Sequence, residues 1–134
     1  MAFNFNNILN KINNITNGNF RLSGINRVKL IYNVIKEEQI SEFLEENSYI
    51  LDVRTRQEFM TMRIEKAVNI PISEISWNIS TLIPDKRNKI LVYCFNGERT
   101  KEAIIKLNKI GYNNIYVWEG AGLNSLKEGK YIKY

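Results

Sequence analysis

The chain has 134 residues, of which 44% are hydrophobic and 25% charged, ordinary values for one soluble globular domain that buries most of its apolar surface. With no histidine and a single cysteine, it excludes Cys-His acyl transfer, His acid catalysis, His or Cys-rich metal sites, a CxxC redox pair and an intrachain disulfide. The formal charge of +5 comes from scattered cations offset by neighbours, as in Lys36-Glu37-Glu38, and not from the basic stripe with stacking aromatics that a nucleic-acid binder needs.

Residues 1–27 read as an asparagine-rich extension, with asparagine at positions 4, 6, 7, 10, 13, 14, 17, 19 and 26. No charged segment followed by an apolar core marks a signal peptide, and no stretch is long enough to span a bilayer. The expected compartment is the reducing cytosol, where a free thiol persists. Phe5, Ile8, Leu9, Ile12 and Ile15 fall on one helical face. The opposite face is asparagine, unlike the lysine-rich face of a membrane-surface helix, so the expectation is packing on the domain or partial order.

The domain itself is expected over residues 28–134. Leu30 to Ile35 reads as a first strand and Lys36 to Asn47 as a helix turning Ile40, Phe43 and Leu44 inward. Tyr49 to Val53 is a second, buried strand ending in Asp52-Val53-Arg54. Open parallel sheets gather ligands at the carboxyl ends of their strands, so Asp52 and Arg54 are candidates to support a site there. The simpler expectation is a structural ion pair, Arg54 with Glu58 one helical turn on.

Arg56 to Met62 reads as a short helix and Ala67 to Ile70 as a short strand closed by Pro71. Ser73 to Leu82 reads as a helix capped by Ser73. A turn cluster, Pro84-Asp85-Lys86-Arg87-Asn88, leads into Ile90 to Tyr93, a four-residue apolar run with the signature of a strand buried on both faces. From Glu98 the period changes to helical, with Ala103, Ile104, Leu107 and Ile110 on one face and Gly111 as the C-terminal cap. Ile115 to Trp118 is the last strand, and Glu119-Gly120-Ala121-Gly122 turns into a short helix with Leu123 and Leu126 inward.

Between the central strand and its helix lie Cys94, Phe95, Asn96, Gly97, Glu98 and Arg99, with Thr100 opening the helix. A loop that leaves a parallel strand and enters a helix collects unpaired backbone N–H groups and the positive end of the helix dipole. That is a place for an anion, and a thiolate flanked by a helix N-terminus and a guanidinium is one. Without histidine, three chemistries suit such a cysteine: sulfur transfer through a persulfide, phosphoryl transfer through a cysteinyl phosphate, and thiol oxidation.

In order along the chain, Asp52-Val53-Arg54, Glu58-Phe59, Ala67-Val68-Asn69-Ile70-Pro71, the Cys94 loop, Gly111-Tyr112 and Val117-Trp118-Glu119-Gly120 resemble a single rhodanese domain over about residues 33 to 129. The resemblance implies a three-layer α/β fold with a central, mostly parallel five-stranded sheet flanked by helices. It implies a sulfurtransferase or sulfur carrier. Cys94 takes sulfane sulfur, holds it as a persulfide cradled by residues Phe95 to Thr100, and passes it to a thiophilic acceptor. The implied donors are thiosulfate, mercaptopyruvate or a protein persulfide, the implied acceptors a thiol or cyanide, with no cofactor or metal. A protein partner fits the alternative, a non-catalytic rhodanese-like binding or regulatory module. Phosphatases of related fold carry five residues between cysteine and arginine. Here four intervene, and Glu98 sits badly beside a phosphate dianion, so sulfur is favoured.

Two stretches depart from the family pattern. Gly-His-Ile-Pro-Gly-Ala is replaced by Met62-Arg63-Ile64-Glu65-Lys66-Ala67, and Ala121 stands for the second of two adjacent glycines. Ser125 or Leu126 occupies a position that is aromatic in the family, leaving Trp118 to fill that space by core packing or to join Phe95 as an apolar lip beside Cys94. Trp77, on an amphipathic helix, receives no role.

Overall fold

A computed structural model describes residues 20, 21, 27, 28, 30–45 and 47–134, and the expected helical face at Phe5 to Ile15 lies outside them. The strands are β1 (Phe20–Arg21), β2 (Arg27–Val28), β3 (Asn33–Ile35), β4 (Tyr49–Asp52), β5 (Arg63–Ile64), β6 (Val68–Asn69), β7 (Ile90–Tyr93), β8 (Ile115–Trp118) and β9 (Ile132–Lys133). The helices are α1 (Ile40–Glu45), α2 (Arg56–Thr61), α3 (Ile75–Leu82) and α4 (Glu98–Ile110). Five strands form one sheet in the order β3-β8-β7-β4-β6, and every pairing in it is parallel. Two antiparallel ribbons, β1 with β2 and β5 with β9, stand outside it.

Strand alternation sends successive side chains to opposite faces, and each face has its own core. Ile90, Val92 and Cys94 join Leu51, Val53, Ile75, Ile79, Ala103, Ile104 and Leu107 on the α3–α4 face. Leu91 and Tyr93 join Ile35, Ile40, Phe43, Ile50, Ile64 and Trp118 on the α1 face. The unbroken apolar run of β7 is therefore the mark of its central position, with all four residues buried. Three layers result, as expected, and the sheet is wholly parallel.

Several local expectations are revised. The first strand is confined to Asn33–Ile35, because Asn108 takes the preceding backbone out of the ladder: its Oδ1 accepts from the Ile31 N–H at 2.7 Å and its Nδ2 donates to the Ile31 carbonyl at 3.1 Å. The helix expected over 36–47 splits into a 3-10 turn, Glu37–Gln39, and α1. The Ser48 hydroxyl donates to the Phe43 carbonyl at 3.2 Å near its end. Ser73 is not a cap: it lies inside the 3-10 turn Ile72–Glu74, and α3 begins after Glu74 without a side-chain cap. The stretch after Leu123 is a 3-10 turn, Leu123–Ser125. The ribbon of β5 and β9 leaves no mark in the sequence, since two-residue strands carry no periodic signal.

Candidate active site

The loop begins where β7 stops. The Cys94 N–H donates to the Ala121 carbonyl at 3.3 Å, and the Cys94 carbonyl accepts from the Leu123 N–H at 3.0 Å. Cys94 and Gly122 thus form a single parallel bridge that extends the β7 edge by one residue. The fit is tight: a Cβ on Gly122 would lie 2.3 Å from the Phe95 carbonyl oxygen. Ala121 holds its turn at φ 51°, a left-handed conformation costing an L-residue about 1–2 kcal/mol. Its carbonyl compensates by binding two donors, the Cys94 N–H and the Thr100 hydroxyl, the latter at 3.2 Å. Thr100 is buried and ties the first turn of α4 to residues 119–122, the neighbouring loop, and not to its own.

Gly97 has φ 96° at the N-terminal cap of α4, a conformation open to glycine and strained for other residues. This turn aims its backbone N–H at Cys94, with N to Sγ at 2.9 Å. The next amide, of Glu98, donates to Asn96 Oδ1 at 3.2 Å. The amides of Phe95 and Asn96 donate to no protein acceptor among the described residues. Cys94 is fully buried, its sulfur enclosed within the loop and against the α3–α4 core. Phe95 is 44% exposed.

Arg99 does not reach back to the sulfur. Its guanidinium forks onto Glu58, Nη1 to Oε1 at 2.7 Å and Nη2 to Oε2 at 3.0 Å. The Arg99 hydrogen bonds and the Thr55 N–H outweigh partial burial and hold the Glu58 carboxyl down at about 2, while the pairing raises Arg99. Glu58 is aimed by a capping box at the start of α2: the Thr55 hydroxyl accepts from the Glu58 N–H, and Glu58 Oε1 accepts from the Thr55 N–H, both at 3.2 Å. The Thr55-Arg56-Gln57-Glu58 spacing was the available signal for this placement.

The expected Arg54–Glu58 pair is therefore replaced. Arg54 is buried and binds Asp52 through both Nε and Nη2, the latter 2.7 Å from Oδ2, and also donates to the Met62 carbonyl. Burial opposes the Arg54 charge, but Asp52 more than restores it, so its pKa is raised. By alternation along β4, Asp52 belongs to the face opposite Cys94, next to Tyr93, whose ring lies 5.8 Å from the Arg54 guanidinium carbon. The Tyr93 hydroxyl accepts from the Ile64 N–H at 3.0 Å, and burial pushes its ionisation up. Asp52 and Arg54 therefore brace β4, β7 and the β5 ribbon below the loop.

The two departures from the family pattern also find their places. Trp118 is no lip beside Cys94: it is buried in the α1-side core, with Nε1 donating to Ser125 Oγ at 3.0 Å. A buried indole N–H needs an acceptor, which Ser125 supplies. Arg63 lies over the Phe59 ring, 5.1 Å to the centroid.

A cavity of about 370 Å³ opens beside the loop, walled by Phe95 and by Arg54, Thr55, Gln57, Glu58, Thr61 and Met62 of the α2 region. A larger concavity of about 460 Å³ lies beside Lys36, Glu37, Glu119 and Lys130 and contains none of residues 94–100. Its four carboxylates and three lysines are interspersed, and Glu37 is occupied by the Lys127 and Glu128 amides. The smaller cavity is the one that includes a residue of the Cys94 loop, Phe95. Among the described residues, no group of three or more Cys, Asp or Glu is arranged to hold a metal ion, and no helix is long and apolar enough to cross a membrane.

A family model described as Rhodanese-like domain matches residues 36–126. A curated relative, thiosulfate sulfurtransferase PspE of Escherichia coli, is 33% identical over 72 residues, covering 54% of this chain and 66% of the relative. Adenylyltransferase and sulfurtransferase uba4 of Ogataea parapolymorpha is 32% identical over 92 residues, covering 64% of this chain and 23% of that protein. The chain thus spans just under two thirds of the first relative's length and about a quarter of the second's. Among solved structures, a rhodanese-related protein from Thermoplasma volcanium superposes with TM-score 0.63 at 31% identity, covering 76% of this chain and 98% of that one. A rhodanese with anions from Escherichia coli gives TM-score 0.54 at 29% identity, covering 60% and 92%.

Proposed function

Because the chain belongs to the rhodanese-like domain family, we propose that it is a sulfurtransferase working through a persulfide on Cys94. The observation that carries this reading is the Gly97 N–H directed at Cys94 Sγ from the N-terminus of a 13-residue helix. A backbone donor and a helix dipole aimed at one sulfur stabilise negative charge there. Unlike a histidine, they have no proton to exchange. The site therefore suits transfer of an atom between anions, which needs no general acid.

With thiosulfate as donor, the Cys94 thiolate attacks the outer sulfur, the S–S bond of the donor breaks, and sulfite leaves with that bond's electron pair. Three negative charges stand on each side. Attack by cyanide or a thiolate on the outer sulfur of the Cys94 persulfide then returns the thiolate and yields thiocyanate or a new persulfide. The cradle runs over Phe95 to Thr100, with Gly97 the donor to sulfur and Arg99 and Thr100 anchoring the loop to Glu58 and Ala121, and Asp52 and Arg54 support it from beneath. A thiol that must stay reduced fits the cytosol.

The test is intact mass spectrometry after exposure to thiosulfate, mercaptopyruvate and a protein persulfide, with Cys94→Ser as control. One added sulfur, removed by cyanide and absent from the variant, is the expected result. The full burial of Cys94 favours the second reading, a non-catalytic binding module, and absence of any adduct from every donor would favour it over transfer.

A further inference from the structure

Resting on the sulfurtransferase reading, we propose that the cavity beside the Cys94 loop selects a sulfur donor that carries a single negative charge and an apolar group next to its leaving atom, in preference to a dianionic oxyanion. The first argument is charge. The cavity wall holds one cation, Arg54, and one anion, Glu58, and both are already committed, Arg54 to Asp52 and Glu58 to Arg99. The loop's own charges are Glu98, an exposed carboxylate in no ion pair among the described residues, and Arg99, whose guanidinium is spent on Glu58. A dianion entering here loses water and meets no cation that is not already paired, and that cost grows steeply with charge.

The second argument is the remaining surface. Thr55, Gln57 and Thr61 are uncharged, Met62 is a polarisable thioether, and Phe95 offers a half-exposed ring at the mouth. A volume of about 370 Å³ lies within the range of small organic ligand sites, about 300–1,000 Å³. An arene or alkyl group bonded to a sulfonyl-type leaving atom would rest on Phe95 and Met62 while its outer sulfur is presented to Cys94. The transfer balances: the Cys94 thiolate and an organic thiosulfonate give the Cys94 persulfide and an organic sulfinate. One S–S bond is broken and one made, and two negative charges stand on each side.

The probes are thiosulfate, methanethiosulfonate and benzenethiosulfonate, which share the reacting bond and differ first in charge and then in apolar area. Loading of Cys94 is followed by mass, and each rate is divided by that donor's rate with free cysteine. The expected order is benzenethiosulfonate, methanethiosulfonate, thiosulfate, with about tenfold or more between the ends. Phe95→Ala should lower the benzene-to-methane ratio about fivefold, the loss of one aromatic contact. Glu98→Lys should narrow the methane-to-thiosulfate gap, and more so at low salt. Thiosulfate loading as fast as the others, or a ratio unmoved by Phe95→Ala, overturns the proposal and leaves the sulfurtransferase reading standing. If no donor loads, that reading falls, and calorimetry on Cys94→Ser decides the subsite alone. Benzenethiosulfonate binding at least tenfold tighter than thiosulfate sustains it, and equal or absent binding overturns it.

Discussion

Arg99 and Glu58, 41 residues apart, meet as a forked pair, each guanidinium nitrogen on its own carboxylate oxygen. The contact fastens the first turn of α4, and with it the rear of the Cys94 loop, to the start of α2. Its position next to the cavity makes the strength of this clasp a property of the site as well as of the fold.

Glu58→Gln removes one charge of the clasp and keeps the side chain's shape. With both partners about one third exposed, solvent screening limits the loss to about 1 kcal/mol. The Glu58 carboxyl is held below its ordinary 4.5, at about 2, so its contribution is complete above pH 4.5 and is lost as pH falls towards 2. Urea denaturation at a series of pH values should show the wild-type advantage over Glu58→Gln shrinking below pH 4.5. A gap constant down to pH 3 contradicts the pairing.

Gly97→Ala should weaken both fold and chemistry. A left-handed φ of 96° costs an L-residue about 1–2 kcal/mol, and relaxing it swings the Gly97 N–H away from Cys94 Sγ. The expected result is a midpoint shift of that size together with slower sulfur loading by mass spectrometry. Slower loading at unchanged stability would mean that the amide matters and the strain does not.

Gly122→Ala places a methyl group against the Phe95 carbonyl, and backbone cannot step aside as a side chain can. A loss of about 2–4 kcal/mol is expected, in the range of overpacked cores or above it. Gly129→Ala, where nothing lies within 4 Å of the added atom, is the matched control and should stay within about 0.5 kcal/mol of wild type. Thermal unfolding of the two variants side by side checks the contrast.

Asp52→Asn leaves the Arg54 guanidinium buried without its counter-charge. Stranding one member of such a pair costs about 3–5 kcal/mol, and the double variant Asp52→Leu with Arg54→Met should recover much of it. Denaturant titration of the three proteins measures this. A double variant no better than Asp52→Asn would mean that the pair's bond to the Met62 carbonyl is what counts.

Much of the site was legible in residues 89–111. The apolar run Ile90 to Tyr93, the change to helical period at Glu98 and the closing Gly111 coincide with β7, α4 and its left-handed cap at φ 110°. Buried central strands and amphipathic helices write themselves into nearby residues, and these did. The edge strand read less well, because the Asn108 side chain, 77 residues away, satisfies the Ile31 backbone in place of the ladder. Ser73 misled for a related reason: a 3-10 turn precedes α3 and moves the cap position past it.

The partners of the charged residues were the larger gap. Arg54 lies four residues from Glu58, a spacing at which helical side chains meet, yet Arg54 precedes α2 and follows Asp52 on the strand. Thr55 turns Glu58 back over the helix start, where Arg99 arrives from another element. Of the two places open to Trp118, packing chose the core, sealed behind Ser125, while Phe95 is left half exposed.

The amino-acid order by itself determined the identity of the only thiol, the strand that ends at it, the glycine two residues before Arg99 and the helix that follows, since each depends on neighbours within a few peptide units. Tertiary structure alone decided that Cys94 is enclosed, that Asp52 belongs to the other face of the sheet, and that Arg54 and Arg99 each have a carboxylate of their own. Burial and ion pairing depend on distances between segments far apart in the chain, and packing sets those distances.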